Sequence, residues 1–111
     1  MLIASRTLTW RDGERDVPVE IRIFAPQLQP EGSWGCRFEI AWPDRPKDMT
    51  VYGFDRMQAL VLALQTIGVQ IYTSEYHESG NLFWEKPGNG DGFPVAPTLR
   101  DLLVGDDKKH L

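Results

Sequence analysis

From Trp34 to Trp42 every even position is apolar (Trp34, Cys36, Phe38, Ile40, Trp42), while Arg37 and Glu39 stand between them. Period two is what a β-strand needs to bury one face and wet the other. A slip of one residue would drive both charges into the core, so the register is well specified. Val17, Val19, Ile21 and Ile23 alternate with Pro18, Glu20 and Arg22 in the same way. Leu2 to Trp10 is predicted as a strand ahead of them, and Arg11-Asp12-Gly13-Glu14 supplies the turn of a hairpin. Pro26, Pro30 and Gly32 mark a loop, Pro43 and Pro46 close the third run, and Met49 to Tyr52 is predicted as a short fourth strand.

At Asp55 the period changes. Asp55 with Gln58 three residues on has the form of a helix N-cap with a glutamine reaching back. Met57, Leu60, Val61, Leu64, Ile67, Gly68, Ile71 and Tyr72 then recur at i, i+3, i+4 and i+7, a stripe expected to lie across the sheet. Ser79-Gly80-Asn81 is expected to end this helix, and Leu82 to Glu85 to form a short strand. A turn-rich loop follows, Pro87 to Pro94. Thr98 and Asp101 are placed to cap a short helix carrying Leu99, Leu102 and Leu103, which Gly105 stops.

With 111 residues the chain is expected to be one α+β domain over 1–105, followed by a solvated tail over 106–111. The sheet is expected to be mainly antiparallel, of four or five strands, with one long helix on one face and a short C-terminal helix. Twelve Lys+Arg against 16 Asp+Glu give −4, which leaves no electrostatic footprint for nucleic acid. No apolar run is long enough for a membrane span, and the start of the chain lacks the pattern of a signal peptide. Cys36 is the single cysteine, which rules out an internal disulfide and fits a reducing, cytoplasmic setting.

Each pattern that could carry chemistry is absent or broken. Cys36 shares its strand face with tryptophans, Phe38 and Ile40, a packing position rather than the electropositive setting of a reactive thiolate. His77-Glu78 could open a zinc-protease motif, but Asn81 stands where the second histidine belongs. The glycines from Gly88 to Gly92 match neither a P-loop nor a dinucleotide fingerprint. No catalytic residue, metal ligand or cofactor is therefore assigned, and the reading leans away from an enzyme.

From Met57 to Ser74 the predicted helix carries no charge at all. Gln58, Leu62, Gln65, Thr66, Val69 and Thr73 lie opposite the core stripe, where Lys and Glu normally stand. Either the C-terminal segment or the Gly/Pro loop covers this face, or it meets a protein partner or a second copy of the chain. The alternative is a small-molecule binder or enzyme, with a pocket between the sheet and the Gly88–Gly92 loop and His77, Trp84 and Phe93 at its rim.

Trp34-x-Cys36-x-Phe38-x-Ile40, Gly53-Phe54-Asp55-x-x-Gln58-Ala59-Leu60, Leu82-x-Trp84 and Gly92-Phe93-Pro94 together resemble a family of small bacterial proteins known only as a domain of unknown function. The resemblance implies no activity. In size and in its sheet-then-helix order the chain is also similar to immunity proteins of bacterial toxin systems, an architectural likeness that makes a non-enzymatic, acidic interaction module one expectation.

Overall fold

The two long alternating runs pair with each other. β1 (Leu2–Asp12) and β2 (Arg15–Phe24) form an antiparallel hairpin that closes with Asp12 opposite Arg15. Gly13 takes φ +62° in the first central position of the turn, as a type II′ hairpin requires. The computed structural model describes residues 1–86 and 91–94 of the chain. The expected helix over Leu99, Leu102 and Leu103, the tail over 106–111 and most of the Gly88–Gly92 loop lie outside the described residues.

β4 (Trp34–Ile40) is the centre of the sheet. Along one side it pairs over its whole length with β5 (Lys47–Gly53). Along the other it meets β2 through Ile21–Ile40 and Ile23–Phe38, and then β3 (Gln27–Leu28) through Gln27–Gly35 and Leu28–Trp34. β6 (Leu82–Phe83) adds to β1 at Trp10 and Thr9. The described sheet thus has six antiparallel strands, more than the four or five expected, because β3 is only two residues long. Such a piece has no periodicity of its own and exists through its pairing with β4. Pro18 is accommodated because β4 reaches β2 only at Ile21–Ile23, so among the described residues Pro18 has β1 as its sole neighbour strand.

One face of the sheet holds the core and the other is wet. Leu8, Val19, Ile21, Ile23, Cys36, Phe38 and Ile40 are buried beneath α1 (Arg56–Tyr72) and the segment around Phe93. The opposite face carries ion pairs, Arg22 with Glu20 and Arg37 with Glu39 and Asp48. Cys36 is fully buried, its thiol donating to the Phe24 carbonyl at 3.3 Å, and burial pushes its pKa up. It is a packing residue.

The helix sits differently from the expected stripe in two respects. Ala59, Ala63, Ile67, Gly68, Ile71 and Tyr72 are buried, whereas Met57 and Val61 are exposed. Two alanines bring the helix axis close to β4 and β5, which rotates the larger side chains away from the sheet. Second, α1 stops at Tyr72 instead of running on to Ser79. Thr73 is its C-cap, and Ser74 caps a new short helix, α2 (Glu75–Glu78), by accepting from the His77 N–H at 3.2 Å. No helix among the described residues is long and apolar enough to cross a membrane.

Tyr76 holds α2 against the rest. Its ring stacks on Trp42 at 4.9 Å and meets Trp10 edge-on at 4.9 Å. Its hydroxyl donates to Asp44 at 2.6 Å, which holds the Asp44 carboxyl below its usual range and pushes the Tyr76 phenol up to about 12. A phenol raised above its unfolded value of 10.0 stabilises the fold below that pH, and the contribution is lost as pH rises through about 12. Urea melts of the protein and of Tyr76→Phe should therefore show a stability gap that is constant from neutral pH to about 10 and shrinks above it. A gap unchanged across the alkaline range would contradict this contact.

Candidate binding surface

The three residues expected at a pocket rim lie in one cluster of the described residues. Arg6 reaches from β1 to donate through Nη1 to the carbonyls of Asp91 and Gly92 at 3.1 and 3.0 Å. Its guanidinium lies 3.7 Å from the centre of the Trp84 ring and 4.9 Å from that of Phe93. The Phe93 N–H donates to the Tyr72 hydroxyl at 3.3 Å, and His77 meets the Tyr72 ring edge-on at 5.0 Å. His77 Nδ1 is 3.4 Å from a carboxylate oxygen of Asp91, which is 1% exposed. His77, Trp84 and Phe93 are thus joined by Arg6, Tyr72 and Asp91 in one cluster that fastens residues 91–94 to the sheet.

The neighbouring cavity, as the described residues line it, is small. It measures about 110 Å³ and is lined by Phe93, Arg6, Ile21, Ile23, Leu64 and Ile67 among others, and neither His77 nor Trp84 lines it. Pockets for drug-sized ligands run from about 300 to 1,000 Å³. Among the described residues no group of three or more His, Cys, Asp or Glu could hold a metal ion.

The opposite end of α1 is built differently. Gly53, the last residue of β5, lies so close to the first turn that a Cβ there would come within 2.5 Å of the Ala59 nitrogen and 2.9 Å of its Cα. Asp55 Oδ1 accepts from the Gln58 N–H at 2.7 Å. Gln58 Oε1 in return accepts from the Phe54 N–H at 2.6 Å, one residue further back than in a standard capping box. The Arg56 guanidinium covers Trp34, 4.7 Å from its ring centre. These contacts fix the backbone of the β5–α1 corner on both sides of Phe54.

Phe54 itself is 91% exposed. Nearby in the chain Met57 is 74%, Tyr52 56% and Val61 46% exposed, with Leu62 also on the surface. A shallow cleft of about 250 Å³ runs along Phe54 between Ser33, Tyr52, Gly53 and Gln58. Of the face singled out in the sequence, Gln58, Leu62 and Thr73 are exposed, while Gln65, Thr66 and Val69 are half-buried. Met57 and Val61 belong to the expected core stripe, whereas Phe54 and Tyr52 enter the sequence patterns only as part of a motif and as the end of a strand. A signal was available. A phenylalanine just before an N-cap normally staples onto an apolar residue four positions into the helix. Here that residue is Ala59, already buried against Gly53, so nothing among the described residues covers the ring.

A family model described as a domain of unknown function (DUF6968) matches residues 4–95. The chain belongs to that family. No curated protein and no solved structure matches it.

Proposed function

We propose that this member of a family of unknown function is a non-enzymatic protein-interaction module, and that the β5–α1 corner with the charge-free flank of α1 is its recognition surface. The observation that carries the reading is Phe54, a large aromatic ring almost wholly in water on a backbone held by two caps and a close glycine contact. Interface energy concentrates in a few aromatic anchors, and a preorganised anchor loses little entropy on binding. Tyr52 lines the same cleft as Phe54, Met57, Val61 and Leu62 leave further apolar side chains exposed along α1, and α1 offers no charge from Met57 onward that would have to be desolvated. The small-molecule alternative has less support, since His77, Trp84 and Phe93 meet other groups of the chain beside a cavity of only about 110 Å³.

Site-directed photo-crosslinking in the native cells tests the proposal. A benzophenone side chain at position 54 or 61 should give a discrete protein adduct, and one at exposed Glu14 on the hairpin tip should not. Phe54→Ala in the chain labelled at position 61 should reduce the adduct at least about tenfold, the scale of a lost anchor. Equal yields from positions 54, 61 and 14 would overturn the reading.

A further inference from the structure

We infer that the partner of this surface is a second copy of the chain, paired along the outer edge of β5 so that the two sheets run on into each other. The inference rests on the interaction reading above and names its partner. β5 pairs with β4 along one side, and no backbone hydrogen bond reaches its other side among the described residues. Sheet edges are usually guarded by lysines, prolines, bulges or inward-pointing charges. β5 keeps an unbroken register over its seven residues. Its two charges, Lys47 and Asp48, stand together at one end, and Asp48 is already held by Arg37 through two hydrogen bonds of 2.9 Å. From Met49 to Gly53 nothing among the described residues guards the edge.

The strand is complementary to itself. An antiparallel pair with its two-fold axis at Thr50 sets Lys47 opposite Gly53, Asp48 opposite Tyr52, Met49 opposite Val51 and Thr50 opposite Thr50. No like charges face each other in this register, and Thr–Thr and Met–Val pairs favour it. Met49 and Val51 point toward the helix layer and are only half-buried in the single chain, so mutual pairing completes their burial.

This register also keeps both α1 helices on the same face of the joined sheet. Leu64 and Ile67 look toward β2 across the small cavity, whereas Gln70 and Thr73 share a cleft with Pro46 and Lys47 at the start of β5. The flank of Leu62, Thr66, Val69 and Thr73 therefore runs on the β5 side and meets its own copy without a charge on either flank. Phe54 falls opposite Pro46 of the second copy.

Sedimentation equilibrium with a charge swap at Thr50 tests the pairing. Thr50 points to the wet face, so thermal melts should show that its variants fold. At about 100 µM, above the Kd of a micromolar complex, the chain should sediment at twice its own mass. Thr50→Lys and Thr50→Glu, which set like charges opposite each other at the axis, should each weaken association by about thirtyfold or more. An equimolar mixture of the two should regain the double mass. A single-chain mass for the unsubstituted protein, or a dimer that persists in Thr50→Lys, overturns the inference. Should the chain stay single while position 54 still crosslinks to a different protein, the interaction reading stands and self-pairing falls.

Discussion

Tyr72→Ala is expected to cost about 4 kcal/mol and to lower the melting temperature by roughly 15 °C. Tyr72 is the largest fully buried side chain among the described residues. Its ring lies at the end of α1, its hydroxyl accepts from the Phe93 N–H, and His77 packs on its edge. Truncation leaves a cavity and also releases one attachment of residues 91–94, which the Arg6 clamp and the His77–Asp91 contact also hold. Arg6→Ala should consequently cost less in the Tyr72→Ala background than alone, because both act on the same segment. Urea melts of the two single variants and the double variant measure the coupling. Strict additivity would mean that Arg6 and Tyr72 hold the segment independently.

Gly53→Ala should lose about 3 kcal/mol, roughly 11 °C in melting temperature, which is large for one added methyl group. The atoms a Cβ would meet are backbone atoms of Gln58 and Ala59, so no side chain can swing aside to make room. β5 and the first turn of α1 must separate, which pulls the Gln58 and Asp55 caps out of line. The same variant should lose crosslinking at position 61, since the anchor is no longer held. A melting temperature within about 2 °C of the parent would show that the corner is looser than these distances imply.

How far the fold was legible in the sequence depended on how many residues each signal needed. The alternation in β2 and β4 is contained within each strand, and the buried set Val19, Ile21, Ile23, Cys36, Phe38 and Ile40 follows from it directly. The N-cap at Asp55 was equally local. The face of α1 was not. A hydrophobic stripe counts Met57 and Val61 as core and gives Ala59 and Ala63 no weight, yet small side chains are what admit a helix close to a sheet. The break at Thr73–Ser74 was written in Ser74, an N-cap residue followed by Glu75, but the apolar period ran up to it and hid it.

Much the same divides the two candidate sites. His77, Trp84 and Phe93 lie near one another in the sequence, and their meeting was anticipated. Arg6, which draws Trp84 and Phe93 together, is 85 residues from Asp91 and was not. The exposed corner stayed hidden for the opposite reason: Phe54 is an apolar residue at a place where apolar residues usually pack, and only the close contact of Gly53 with Ala59 shows that no room is left for it.

Fluorine NMR on the chain carrying 4-fluorophenylalanine tests the central claim most directly. The sequence has five phenylalanines, Phe54 lying in water and Phe38 fully buried, so one spectrum reports surface and core together. The account predicts that the Phe54 resonance alone shifts and broadens between dilute purified protein and intact cells, while that of Phe38 stays in place. A Phe54 resonance that keeps its dilute-solution position and width inside the cell would contradict it.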